Sequence, residues 1–212
     1  MNQLYHKIET LFKRDMDGNK KLIEGDFRNE SVEYLKDNQW IFTEKVDGTN
    51  VRVHWDGHKV SFGGRTDNSQ MPMPLIERLQ ELFGGSENEE IFEEKFGEEP
   101  VTFYGEGYGG KIQSGCAYSP TQEFIMFDVM INDNFLEREN VVDIAKGFNL
   151  ETVPIILEGT IQDAVGFIKD SPLSKMAVEE KEMEGVVGKP LVEMRDRRGN
   201  RLIVKVKVKD FI

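Results

Sequence analysis

Cysteine is almost absent from this sequence, and long apolar runs are absent altogether. The 212 residues contain a single cysteine, Cys116, which excludes both a disulfide framework and a zinc site built from several cysteines. One thiol fits a reducing compartment, so we expect a cytoplasmic, intracellular protein. The longest apolar stretch, 124–131, is broken by Asp128, and residues 1–18 show no apolar segment typical of a secretory signal. We therefore expect no membrane partner.

Positive charge is also scarce. The chain has 27 Lys and Arg against 39 Asp and Glu, which gives a net charge of −12. This balance excludes a surface that is basic all over. Any contact with a nucleic acid must therefore come from a local positive groove within an acidic surface.

The hydrophobic pattern predicts a single α+β domain over residues 1–212, with antiparallel sheets flanked by helices. A period of two residues or a short apolar run indicates strands, and a period near 3.6 indicates helices. The predicted strands are 40–43, 49–55, 58–62, a strand starting at 101, 123–132 and 153–159. The predicted helices are a short one within 1–12, then 74–83, 137–147 and 161–169. Residues 197–200, with the sequence RRGN, predict a hairpin turn between the segments 184–196 and 201–211.

A glycine-rich segment at 105–112 resembles two phosphate-binding motifs but fits neither. Residues 105–110 match G-x-G-x-x-G, and 105–112 come close to the phosphate-loop pattern. Both motifs need a helix directly after the glycines, because its N-terminus holds the phosphate. The following residues include Gly115 and Pro120 without helical periodicity, and Ile112 replaces the hydroxyl residue of the phosphate loop. We do not predict a dinucleotide or phosphate-loop site here.

Lysines near both ends of the chain suggest covalent chemistry. A lysine amine acts as a nucleophile only when neutral, which requires a pKa below the free value of about 10.4. Neighbouring cations lower that pKa. In 201–209 the alternation places Lys205 and Lys207 on one face of a strand. An edge strand protected by lysines is the simpler explanation of this pattern taken alone.

Five short motifs occur in an order that changes this interpretation. They are Lys45-x-Asp47-Gly48 within EKVDGTN, Glu106 at a strand end, Phe127-Asp128 on a buried strand, Glu184-Gly185-Val186-Val187, and Lys205-x-Lys207. In this order they resemble the covalent nucleotidyltransferase superfamily of polynucleotide ligases and messenger-RNA capping enzymes. Within it the sequence is most similar to phage-type RNA ligases of type 2, over about residues 40–209. The resemblance implies a nucleotidyltransferase (ATP-grasp-like ligase) fold.

The resemblance also implies a role for each matching residue. Lys45 would attack the α-phosphate of ATP, and Lys205 and Lys207 would grip that phosphate and lower the pKa of Lys45. Asp47 and Glu184 would hold the metal. The backbone at Glu44 would border the adenine, and Phe127 would stack on it. Asn50 and Arg65 would contact the sugar or phosphate and the RNA 5′-phosphate. Glu106 would bind the ribose hydroxyls.

These roles imply an ATP-dependent RNA ligase that uses Mg²⁺ or Mn²⁺ and passes through a lysyl-AMP intermediate. Its partner would be RNA with 5′-phosphate and 3′-hydroxyl ends, and we expect a monomer. Ligases of this kind usually carry an accessory domain after the last lysine motif. We expect a catalytic domain only, because the sequence ends three residues after Lys209. The alternatives are a DNA ligase, a capping-type nucleotidyltransferase, or a non-catalytic nucleotide- or RNA-binding module.

Overall fold

The structure is a computed structural model that describes residues 4–18 and 20–211. Its contacts divide the chain into two compact units. Unit 1 comprises the described part of Met1–His6 together with Asp47–Val153, and unit 2 comprises Lys7–Val46 and Pro154–Ile212. The single domain predicted for 1–212 stays a prediction. Across the described ranges, no helix is long and apolar enough to cross a membrane.

The elements mix short helices with mostly antiparallel strands, which confirms the predicted α+β class. The strands are β1 (Glu9–Thr10), β2 (Phe12–Arg14), β3 (Leu22–Phe27), β4 (Trp40–Glu44), β5 (Thr49–Trp55), β6 (Val60–Gly64), β7 (Val101–Tyr108), β8 (Glu123–Ile131), β9 (Asn134–Phe135), β10 (Ile155–Gly159), β11 (Gly185–Pro190) and β12 (Val204–Lys207). The α-helices are α1 (Glu30–Tyr34), α2 (Met73–Phe83), α3 (Ser86–Phe96), α4 (Arg138–Gly147) and α5 (Ile161–Lys169). Short 3-10 helices cover Gly115–Ala117 and Val208–Asp210.

Unit 1 is built on an antiparallel sheet with the strand order β6-β5-β7-β8-β9. Side chains alternate between the faces of a strand, and Val51, Val53 and Trp55 of β5 point into the apolar core. Helices α2, α3 and α4 contribute Leu75, Phe92 and other apolar side chains to the same core. The opposite face of the sheet is therefore left for polar side chains of β5 and β7.

Unit 2 is built on a sheet with the strand order β1-β12-β11-β4-β10, antiparallel except for the β1–β12 pair. Helix α5 packs on it and begins with a capping box, in which Thr160 and Asp163 bond each other's backbone N–H. The core also takes Trp40 and Phe42 from β4. This arrangement fixes β4, β11 and β12 side by side, and their ends carry the candidate site.

Two details differ from the sequence pattern. The predicted helix within 1–12 is wrong, because residues 9–14 form β1 and β2, while residues 1–3 lie outside the described part. The glycine-rich segment begins inside β7, and only a 3-10 turn follows it. The missing helix agrees with the exclusion of a dinucleotide site.

Candidate active site

Three of the predicted site residues meet in unit 2. The Lys45 ammonium donates to Glu184 Oε2, and the Lys207 ammonium donates to Glu184 Oε1 at 2.5 Å. The side chains of Lys45, Glu184 and Lys207 are 23%, 18% and 17% exposed, so the cluster is sheltered and still reachable. One carboxylate thus holds two ammonium groups whose residues are far apart in sequence.

Strand register explains why these residues meet. Lys45 directly follows β4, and its N–H donates to the carbonyl of Gly185 at 2.9 Å. Gly185 begins β11 and pairs with Lys207 of β12. A Cβ at Gly185 would lie 2.1 Å from the carbonyl oxygen of Val206, so only glycine allows this close approach. The Glu184-Gly185 motif therefore has a packing reason as well as a chemical one.

The electrostatics of the cluster favour a bound anion. Burial by itself would raise the pKa of the Glu184 carboxyl, but the charges and hydrogen bonds of Lys45 and Lys207 outweigh it, and the pKa lies below its ordinary value. Lys205 lies on the same strand as Lys207. Burial lowers the pKa of Lys205, and the nearby charges of Lys207 and Lys45 lower it further. Lys45 and Lys207 bring two positive charges to one carboxylate, and a phosphate would neutralise this excess.

Glu44 carries a buried carboxylate with a clear structural contact. Its side chain is in unit 2 and is 2% exposed. The Ser174 hydroxyl donates to Oε1, and the N–H of Lys175 donates to Oε2 at 2.9 Å. The same hydroxyl oxygen accepts the N–H groups of Met176 and Ala177 at 3.2 and 3.0 Å. Glu44 therefore ties the turn at 174–177 to the end of β4, next to Lys45.

The polar sheet face of unit 1 brings together two other predicted residues. Asn50 of β5 and Glu106 of β7 are direct cross-strand partners, so their side chains lie on the same face. Asn50 Oδ1 is buried and has no hydrogen-bond partner within the described residues. A buried acceptor without a donor costs free energy, so this atom fits a ligand that brings a hydroxyl or amine donor.

Phe127 lies in β8 of the same unit, where the register with β7 shifts. Its ring packs edge-on against Tyr5, with centroids 5.1 Å apart. The Tyr5 hydroxyl donates to Asp128 Oδ2 at 2.6 Å, and Asp128 is fully buried. Phe127 is only partly buried, which leaves part of its ring accessible. The N-terminal Tyr5 thus anchors to the strand that carries Phe127.

The remaining predicted residues of unit 1 lie in loops. Asp47 is partly buried, and its N–H donates to the Tyr118 hydroxyl at 3.4 Å. A Cβ at Gly48 would lie 2.4 Å from the carbonyl oxygen of Gly107, so this motif glycine allows the chain to pass close to β7. Arg65 follows β6 and is exposed.

The structure therefore groups Lys45, Glu184, Lys205 and Lys207 in unit 2, and Asn50 with Glu106 in unit 1. Sequence patterns gave no indication of Ser174 or Tyr5. Both are isolated polar residues whose partners, Glu44 and Asp128, lie 130 and 123 positions away in the sequence. Asp128 itself was recognisable as an acid inside an apolar run that would need a partner.

The carboxylates predicted to bind metal have the chemistry that a hard metal ion prefers. Within residues 4–18 and 20–211, no group of three or more His, Cys, Asp or Glu is arranged to hold a metal ion. Mg²⁺ usually keeps several waters and binds one or two carboxylates together with substrate phosphates. Each of the two predicted metal residues, Asp47 of unit 1 and Glu184 of unit 2, separately offers a carboxylate of this kind.

Comparison with known proteins identifies the family. The family model described as RNA ligase matches residues 38–207, and the chain belongs to that family. This confirms the resemblance at the level of RNA ligases, while the phage-type subgroup stays a prediction. A search of curated protein sequences gives no significant match.

Solved structures of one RNA ligase share the fold. A glutamate-to-alanine mutant of the Naegleria gruberi RNA ligase with ATP and Mn has a TM-score of 0.65, 18% identity, and coverage of 96% of this chain and 59% of that one. A lysine-to-methionine mutant of that ligase with AMP and Mn has a TM-score of 0.62, 16% identity, and coverage of 97% and 60%. A lysine-to-alanine mutant with ATP and Mn has a TM-score of 0.61, 17% identity, and coverage of 84% and 52%. The chain therefore spans between half and three fifths of these relatives.

Proposed function

We propose that this chain is an ATP-dependent RNA ligase that joins 3′-hydroxyl and 5′-phosphate ends through a lysyl-AMP intermediate on Lys45. The observation that carries the proposal is the contact of Lys45 and Lys207 with Glu184, with Lys205 on the same strand. The family match over 38–207 supports RNA as the substrate rather than DNA or a cap.

The first step would be transfer of AMP to Lys45. The Lys45 nitrogen attacks the α-phosphorus of ATP, a P–N bond forms, the P–O bond to the β-phosphate breaks, and pyrophosphate leaves. The ammonium held by Glu184 must first leave this ion pair and lose a proton to solvent. Lys205 and Lys207 then stabilise the negative charge of the α-phosphate. In phosphoryl transfer, positioning and electrostatics of this kind supply most of the catalysis.

Three residues of unit 1 are proposed as nucleotide contacts. The unpaired Asn50 Oδ1 would accept from the sugar or another donor, Glu106 would bind the ribose hydroxyls, and the accessible part of Phe127 would stack on adenine. The backbone at Glu44 would border the adenine. Asp47 and Glu184 are each proposed as metal ligands, and Mg²⁺ or Mn²⁺ would supply charge neutralisation at the phosphates.

The later steps would use RNA. An oxygen of the RNA 5′-phosphate attacks the phosphorus of the lysyl-AMP, and the P–N bond to Lys45 breaks. Arg65, which is exposed after β6, would contact that 5′-phosphate. A 3′-hydroxyl oxygen then attacks the activated phosphorus, and AMP leaves. The protein would act as a monomer on ends held by such contacts.

Intact-mass measurement tests the proposal. After incubation with ATP and Mg²⁺, the protein should gain the mass of one AMP, and Lys45→Ala should abolish the gain. Lys36→Ala is a matched control, because Lys36 is an exposed lysine of the same unit. GTP should give no adduct, which separates a ligase from a capping enzyme. An adduct that persists in the Lys45→Ala protein would remove Lys45 as the nucleophile, and no adduct with ATP would favour a non-catalytic binding module.

A further inference from the structure

A preorganised hairpin connects β11 to β12 in unit 2. Arg195 and Arg201 form its bridge, and the N–H of Leu202 donates to the carbonyl of Met194 at 2.9 Å. The turn is fixed by Asp196, whose Oδ1 accepts the N–H groups of Arg198 and Asn200 at 2.8 and 2.9 Å. This confirms the hairpin turn predicted for 197–200. We call residues 195–201 the arginine hairpin.

The two carboxylates at the hairpin, Glu193 and Asp196, both have partners within residues 193–201. Glu193 receives two hydrogen bonds from the Arg201 guanidinium, at 2.5 and 2.7 Å, and Arg201 is 7% exposed. The pKa of the Asp196 carboxyl lies below its ordinary value. The main cause is the hydrogen bond from the Asn200 side chain, and the bonds from the turn backbone add to it, so the carboxylate remains charged and bound to the turn. Glu193 therefore neutralises Arg201, and Asp196 fixes the turn through backbone N–H groups and the Asn200 side chain.

The remaining arginines face solvent. Arg195, Arg197 and Arg198 are all exposed. Arg195 donates to the carbonyl of Gly199 at 3.3 Å, so it also helps to hold the turn. A turn held by its own backbone bonds thus presents adjacent guanidinium groups at its tip.

The charge of this segment is opposite to that of the chain. Residues 189–209 contain eight Lys and Arg and two carboxylates, a net charge of +6, whereas the whole chain carries −12 and the remainder therefore −18. A polyanion is repelled by the acidic remainder and attracted to the basic segment. Guanidinium groups also bind phosphates through paired N–H donors.

We propose that the arginine hairpin is an RNA-binding surface, with Arg197 and Arg198 contacting backbone phosphates. The proposal rests on the RNA ligase function proposed above, which makes RNA the polyanion that must approach unit 2. The hairpin leads directly into the strand that carries Lys205 and Lys207. At about 3.3 Å per extended residue, Arg201 and Lys205 are about 13 Å apart along the chain. The hairpin would therefore lie close enough to these lysines for one RNA strand to reach both.

The test compares RNA affinity with self-adenylation in the full chain. Fluorescence anisotropy with a labelled, 5′-phosphorylated single-stranded RNA is measured over a salt series, and self-adenylation is measured by intact mass. For the double variant Arg197→Gln with Arg198→Gln, we expect RNA affinity to fall roughly tenfold. The slope of log affinity against log salt should become shallower by about 1.4, at about 0.7 per phosphate contact. Self-adenylation should stay within about twofold of the unchanged protein, because the ATP residues are untouched.

Two further variants separate charge from other effects. Arg197→Lys with Arg198→Lys keeps both charges and should keep the salt slope. Lys20→Gln with Lys21→Gln removes two adjacent exposed cations from the β2–β3 turn of the same unit and should leave RNA affinity unchanged. Unchanged affinity and slope in the arginine double variant would overturn the proposal, as would an equal loss in the Lys20 and Lys21 control. Absence of self-adenylation in the unchanged protein would instead refute the proposed ligase function, and the binding comparison would still decide the role of the hairpin.

Discussion

Removal of the Ser174 hydroxyl should destabilise unit 2 and slow the chemistry at Lys45. In Ser174→Ala, the Glu44 carboxylate stays buried but loses one of its two hydrogen bonds, and two backbone N–H groups lose their acceptor. Loss of a hydrogen bond to a buried charged group costs about 1.5–3 kcal/mol. For a chain of this length, this corresponds to a decrease in melting temperature of about 3–12 °C.

The kinetic effect follows from the position of Glu44. The carboxylate fixes the end of β4, and Lys45 is the next residue. A displacement of a reacting group by about 1 Å can cost about a hundredfold in rate, so we expect self-adenylation to slow by roughly tenfold in Ser174→Ala. The Ser174→Thr variant retains the hydroxyl and should restore most of both losses.

A double-mutant cycle measures this contact directly. Chemical denaturation of Ser174→Ala, Glu44→Gln and the combined variant should give a coupling of about 0.5–3 kcal/mol, because the two side chains share one hydrogen bond. Strictly additive free energies of unfolding would refute the contact as the source of stability. A Ser174→Ala protein that is less stable but adenylates at the full rate would refute the positioning role of Glu44.

Two other substitutions test the two units separately. Tyr5→Phe removes the hydroxyl that donates to the buried Asp128, and it should lower the free energy of unfolding in chemical denaturation by about 1.5–3 kcal/mol. In the control Tyr34→Phe, the residue is 86% exposed, and the free energy of unfolding should change little. Lys205→Met should raise the melting temperature at pH 7. Burial and the charges of Lys207 and Lys45 hold the pKa of Lys205 below the ordinary 10.5, so its protonated form is unfavourable in the folded state. The gain in melting temperature should shrink as the pH rises through the lowered pKa. The control Lys209→Met, at an exposed lysine, should show neither the gain nor its pH dependence. A Lys205→Met protein that is less stable would contradict the reasoning.

Local patterns predicted most of the strands and helices but failed at the N-terminal segment. Leu4, Ile8, Leu11 and Phe12 have helical spacing, yet the chain there is extended. The N–H of Leu11 bonds the carbonyl of Lys205, and Phe12 pairs with Phe27 on β3. These distant partners determine the conformation of the segment. They lie outside the dozen residues whose spacing suggested a helix, so the local pattern could not reveal them.

The same distinction applies to the candidate site. The alternation along 201–209 predicted that Lys205 and Lys207 share a face, because a two-residue period depends only on the strand itself. Their contact with Lys45 and Glu184 depends on the order β12-β11-β4, which no periodicity specifies. Only the ordered set of motifs pointed to that grouping. The Ser174 contact could not be predicted at all, because a serine in a polar loop has no distinguishing pattern.

The charge arrangement of unit 2 fits the proposed binding of an ATP phosphate. Glu184 contacts two ammonium groups, and Lys205 adds a third charge whose protonation is opposed by its neighbours. Buried like charges destabilise a fold unless an opposite charge accompanies them. An α-phosphate would provide that charge, and its departure with the product would restore the repulsion. Lys205, whose protonated form is disfavoured in the fold, is thus suited to the proposed contact with an anion, which is the usual relation between stability and function at an active site.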